Sequence, residues 1–231
     1  MNEIAININN VLNRIEKAAK RVGRDIKDIK LIAVTKTVDV NRIKEAVEAG
    51  LRIFGENRVQ EAQKKITSYE LRVTSGKIEW HFIGHLQTNK VKDVAGNFVL
   101  IHAVDSLRLA EEIDRQAKKR DIVQEILIEV KLSEEESKFG AAEKDLLPLI
   151  KSVSEFGNVK LLGLMTIPPF FEDAENTRPY FKRLRELRDE AIKKGFNLSE
   201  LSMGMSHDFE TAIEEGATMV RIGTAIFGER K

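Results

Sequence analysis

Cysteine is missing from all 231 residues of the chain. That excludes disulfides, thiolate catalysis and thiolate metal sites. A surplus of charge is missing too: 38 Lys and Arg face 37 Asp and Glu, for a net charge of +1. This balance argues against a dedicated nucleic-acid surface. No apolar run approaches the length of a membrane span, and the N-terminal stretch MNEIAININNVLNRIEKAAKRVG lacks the layout of a signal peptide. A soluble, cytoplasmic protein with no membrane partner is the expectation. Only four prolines occur, and no stretch rich in Pro, Gly or Ser reads as a linker. Low-complexity tracts and sequence repeats are likewise absent, so residues 1–231 are expected to form one domain. The G-x-G-x-x-G, Walker and nucleophile-elbow patterns do not occur either, which lowers the case for a nucleotide cofactor.

What is present is a regular alternation of two periods. Hydrophobic residues make up 42% and charged residues 32%, enough apolar material for a full core. Ile4, Ile8, Val11, Leu12, Ile15, Ala19 and Val22 share one helical face, and Gly23 supplies a stop. A second helix is predicted from Asp39, as cap, to Gly50. Further helical stretches fall near 57–69, 87–95, 106–120, 143–156, 173–194 and 207–215. Short runs rich in Ile, Val, Leu or Phe separate them, at 30–35, 51–55, 79–83, 98–103, 125–130, 159–165, 199–203 and 218–223. Eight strand candidates, each followed by a helix, after one extra N-terminal helix, favour a (β/α)8 TIM barrel. An open doubly wound sheet is the competing arrangement.

In such a barrel, chemistry gathers where strands run into the following loops. Lys36 closes the run Leu31-Ile32-Ala33-Val34-Thr35-Lys36, and a partly desolvated amine there can attack carbonyls to form Schiff bases. The plain alternative is a lysine whose head group sits in water. At the last two junctions, Gly223 allows close approach of a backbone N–H to an anion, and Thr224 and Ser206 add hydroxyls. These residues read equally as turn glycine and helix cap. Arg221, two residues before Gly223, shares the inward face of its strand; its alternative is an ion pair with a barrel glutamate. His81 and His85 lack the pattern of a zinc helix and read as a core or loop pair. Pro168-Pro169-Phe170-Phe171 shapes a loop whose apolar face could rim a pocket, and Glu134-Glu135-Glu136 reads as a solvated loop. Together, Lys36 and the cradle suit an aldehyde that carries a phosphate, of which pyridoxal 5′-phosphate is the common biological case. Arg221 would then face the pyridine nitrogen, donating a hydrogen bond and disfavouring ring protonation.

These motifs closely resemble those of the pyridoxal phosphate homeostasis proteins, single-domain relatives of the alanine racemase barrel. The matching pieces are LIAVTK ending at Lys36, FGENRVQE at 54–61, WHFIGHLQTNK at 80–90, Lys138-Phe139-Gly140, GLMTIPP at 163–169 and LSMGMSHDFETAIEEGATMVRIGTAIFG at 201–228. The resemblance implies an alanine racemase N-terminal-domain-like barrel of the fold-type III class. It implies that Lys36 holds pyridoxal phosphate as an internal aldimine, that Ser206, Gly223 and Thr224 bind its phosphate, and that Arg221 faces the ring nitrogen. Asn57, Met165 and Met203 would line the ring pocket. His207, beside Ser206, stands where many relatives carry a small or acidic residue, and is expected to leave the activity unchanged.

The implied role is intracellular homeostasis of the cofactor without robust turnover, with apo pyridoxal phosphate enzymes as recipients, and nothing in the sequence demands more than a monomer. Racemisation needs acid/base groups on both faces of the ligand. The usual second group is a tyrosine from a further domain of another subunit. This chain is expected to end about three residues after the barrel motif, and its two tyrosines, Tyr69 and Tyr180, fall on predicted outer helices. A weakly active racemase-like enzyme and a Schiff-base aldolase acting on a phosphorylated sugar stay open as alternatives.

Overall fold

The computed structural model of the chain describes residues 2–68, 71, 77–133, 135 and 139–229. Tyr69, Glu134, Glu136 and Lys138, named above, lie outside them. The strands are β1 (Lys30–Val34), β2 (Ile53–Glu56), β3 (Glu79–Phe82), β4 (Leu100–Val104), β5 (Gln124–Lys131), β6 (Ala141–Ala142), β7 (Val159–Met165), β8 (Glu200–Met205) and β9 (Met219–Ile222). All pair in parallel, and β1 meets β9 at Leu31↔Val220 and Ile32↔Arg221, while β4 meets β5 at Ile101↔Ile126. β1 to β5 and β7 to β9 therefore close into an eight-stranded barrel, with the two-residue β6 beside the end of β5. The open sheet is excluded by this closure.

Helices surround the barrel: α1 (Glu3–Arg21), α2 (Val40–Glu48), α3 (Val59–Ile66), α4 (Val91–Val94), α5 (Leu107–Lys119), α6 (Glu143–Ser154), α7 (Arg178–Lys193), α8 (Phe209–Glu214) and α9 (Thr224–Phe227). Asn2 caps α1 through its side-chain oxygen, which accepts from Ala5 N at 2.9 Å. The face of Ile4, Ile8, Val11, Ile15 and Ala19 is buried against α8, α9 and α2, so the extra helix bridges the seam between the last and first units. Val22, placed on that face by its spacing, caps the helix instead and is exposed. On α7 the core position belongs to Phe181; Tyr180 is half-buried against Phe171.

Strand alternation divides the core in two. Outward residues such as Ile101, Ile126, Leu164 and Met203 pack under the helices. Inward residues Ile32, Leu100, Ala103, Leu127, Met165 and Met219 form a smaller cluster inside the barrel. That inner plug is the floor on which the site is built. Among the described residues, no helix is long and apolar enough to cross a membrane.

Candidate functional site

At the carboxyl ends of the strands a cavity of about 400 Å³ opens, lined by Lys36, Asn57, Ser206, Arg221, Gly223 and Thr224 among others. Lys36 sits in the turn after β1, where Val38 N donates to Thr35 O at 2.9 Å. Across the mouth, Ser206 Oγ accepts from Gly223 N at 3.2 Å and from Ala225 N at 3.3 Å. Two backbone donors thus meet at the Ser206 hydroxyl, and Thr224 lines the same cavity, a donor set suited to an anion. Asn57 Oδ1 is buried with no hydrogen-bond partner among the described residues. A polar atom in that state, beside a cavity, fits a site that expects a ligand. Asn57 comes this close because residue 84 is glycine: a Cβ there would lie 2.5 Å from the Asn57 carbonyl oxygen.

Beneath the cavity the barrel interior carries a hydrogen-bonded polar line. Arg221, buried, donates from Nη1 to Ser202 Oγ at 2.5 Å and from Nη2 to Thr166 O at 2.9 Å. Ser202 Oγ lies 2.9 Å from His102 Nδ1, and His102 Nε2 lies 3.0 Å from His81 Nδ1. Ser202 Oγ accepts from Arg221 and still has a lone pair and a proton, so it pairs with either tautomer of His102, whose Nε2 takes the complementary role toward His81. Burial keeps both rings neutral: it lowers the pKa of His81 to about 4 and that of His102 well below the usual imidazole range. It also lowers Arg221 to about 10, which leaves the guanidinium charged at neutral pH. Glu129 reaches the cavity from β5, and burial raises its carboxyl to about 7 despite the opposing charge of Arg221.

Six of the sequence-derived residues share the cavity; Met165 and Met203 do not line it. Met203 points outward from β8 into the layer under the helices, the opposite parity from Ser202. Met165 does face inward, but one layer down in the apolar plug, with Ile167 above it on the cavity wall. The methionine that lines the cavity is Met205. A bulge brings it there: Ser202 pairs with Met219 and Met205 with Arg221, so three steps on β8 match two on β9. Sequence reasoning passed over Glu129 and His102, although a carboxylate inside Ile-Leu-Ile-Glu-Val and an imidazole inside Leu-Ile-His-Ala-Val are visible interruptions of apolar strands. His81 and His85 are not a pair. His81 bonds to His102 inside the barrel, whereas His85 stacks on Phe139 at the cavity rim with centroids 3.6 Å apart. Phe170, 78% exposed, meets His207 on the other side of the rim.

Residues 6–231 match the family model for the alanine racemase N-terminal domain. A barrel of that type is the class which the closed sheet and its lysine-bearing mouth define. The pyridoxal phosphate homeostasis protein of Aquifex aeolicus is 54% identical over 226 residues, covering 97% of each chain. A crystal structure of an unknown protein from Bifidobacterium adolescentis superposes with a TM-score of 0.88 at 39% identity, covering 97% of this chain and 94% of that one. PipY of Synechococcus elongatus, in a structure with PLP bound, gives a TM-score of 0.82 at 37% identity over 93% of this chain and 100% of its own. The chain belongs to the pyridoxal phosphate homeostasis proteins, within the alanine racemase N-terminal-domain family.

Proposed function

We propose that the chain binds pyridoxal 5′-phosphate at the barrel mouth and serves cofactor homeostasis without robust turnover. The observation that carries this reading is the meeting of an amine, an anion cradle and a guanidinium in one cavity of about 400 Å³, a volume suited to a small phosphorylated ring. Pyridoxal phosphate, when bound, supplies an aldehyde that condenses with an amine, with loss of water. Lys36 is the amine. Ser206, Gly223 and Thr224 take the phosphate, and Arg221, fixed by Ser202 and Thr166, donates to the ring nitrogen. Asn57 offers its unpartnered oxygen to the ligand. Met165 acts from the layer below the cavity rather than on the ring, and Met203 has no part in it. The same reading takes residues 1–231 as one functional unit, monomeric and cytoplasmic, that hands the cofactor to apo pyridoxal phosphate enzymes.

One observation favours a second reading, a weakly active amino-acid racemase. Glu129 lines the cavity with a carboxyl that titrates at about 7, the range of a general acid or base. Tyr180, by contrast, packs against Phe171 on the outer side and offers no such group. Chiral analysis of alanine and other small amino acids, incubated with the cofactor-loaded protein, separates the readings. Homeostasis predicts no interconversion above the rate of free pyridoxal phosphate; interconversion lost in Glu129→Gln would establish the enzyme.

A further inference from the structure

The FGENRVQE segment contributes more than Asn57. Lys65 on α3 is a buried lysine, 5% exposed, and its amine is saturated. It donates to the Thr35 carbonyl at 2.5 Å, to Glu56 Oε1 at 2.7 Å and to Glu61 Oε1 at 2.6 Å. Glu61 Oε1 also accepts the Thr37 N–H at 2.5 Å, and Thr35 Oγ1 donates to Glu56 Oε1 at 2.6 Å. The two backbone groups seized in this way, Thr35 C=O and Thr37 N–H, belong to the two peptide units on either side of Lys36. Thr37 is moreover in the left-handed region at φ 62, a conformation an L residue holds only when its surroundings impose it.

We propose that Lys65, with Glu56 and Glu61, is a positioning device for Lys36: an ion cluster in the next βα unit that fixes both peptide units flanking the reactive amine. The inference rests on the assignment of Lys36 as the cofactor's anchor. A buried cation needs every donor matched, and an apolar residue would fill the same space without that demand. The cluster's geometry explains its presence, because each bond it adds either completes the cluster or holds the turn that carries Lys36. A reacting amine must be held within about half an ångström of its productive position, and a turn is otherwise a loose support. Glu61 and Lys65 stand one helical turn apart in the favourable order, so α3 brings the pair ready-made to the turn.

The test compares binding of pyridoxal 5′-phosphate with that of pyridoxine 5′-phosphate, its alcohol analogue, which shares ring and phosphate but has no aldehyde. Lys65→Met should weaken the aldehyde ligand by about tenfold or more and the alcohol by less than about twofold. In a Lys36→Ala background Lys65→Met should have no further effect on either ligand. Glu61→Ala, at a half-buried position that folding tolerates better, should show the same selective loss. It should also speed amide hydrogen exchange at Thr37 while β1 stays protected. Parallel weakening of both ligands, or an unchanged aldehyde affinity, would overturn the positioning role. A wild-type chain that binds neither ligand would instead remove the cofactor assignment, and Thr37 exchange would still read whether the cluster fixes the turn.

Discussion

Inside the barrel there is no bulk water to solvate a charge, so burial pushes Glu129, Arg221, His81 and His102 alike toward their neutral forms. For Glu129 this makes stability depend on pH. The unfolded carboxyl releases its proton near its ordinary value of 4.5, the folded one near about 7. Between these values the folded state holds the extra proton, so Glu129's contribution is intact below the window and is lost as pH rises through it. The gap corresponds to about 3 kcal/mol. Glu129→Gln removes the dependence, since the amide does not titrate. Without ligand, the variant is expected to melt with the wild type at pH 4 and above it at pH 8. Melting curves that stay parallel across the range would show that Glu129 is not held neutral by the cavity.

Among the elements, β8 decides which side chains reach the cavity. Gly204 has φ +92, and a Cβ there would lie 2.6 Å from Ala212 Cβ and 2.9 Å from Phe209 Cα on α8. The bulge needs both the left-handed backbone and the absent side chain, and with it goes the placement of Met205 and Ser206. Gly204→Ala is expected to cost about 2 kcal/mol or more, seen as a fall in Tm of roughly 4–8 °C. Gly23→Ala, with φ +70 but nothing within 4 Å, should cost only about 1 kcal/mol. Equal effects at the two glycines would mean that close approach to α8 is unimportant. The same bulge marks a limit of reading sequence. Alternation alone assigns residue faces in steps of two, and a one-residue insertion in the ladder reverses everything beyond it. Alternation alone would put Met203 and Met205 on one face; the bulge separates them, so the pocket position that the resemblance implies for Met203 falls to Met205. Lys36, Gly223 and Thr224 were legible because each is a polar or glycine residue just past an apolar run, a signal that no bulge within the run disturbs. Glu129 was missed for the opposite reason: it lies within its strand, where the apolar pattern, not its exception, drew attention.

At the scale of the whole molecule, closure of β1 onto β9 is what turns distant sequence into one site. The Ile32↔Arg221 register sets the guanidinium beside the strand that leads to Lys36, and Ser206 crosses from β8 to bond with Gly223 and Ala225. The alternating periods were enough to predict eight βα units and their closure, because each unit shows its own apolar signal. The ion cluster on α3 was not legible in this way. Glu56, Glu61 and Lys65 look like ordinary charged residues until the barrel folds them over the Lys36 turn. All of this geometry converges on one amine. The direct measurement is borohydride reduction of the purified protein loaded with pyridoxal phosphate, followed by peptide mapping of the reduced adduct. Stoichiometric loss of visible absorption and a single adduct on Lys36, absent from Lys36→Ala, are expected. No adduct, or adducts scattered over surface lysines at equal yield, would contradict the assignment of Lys36.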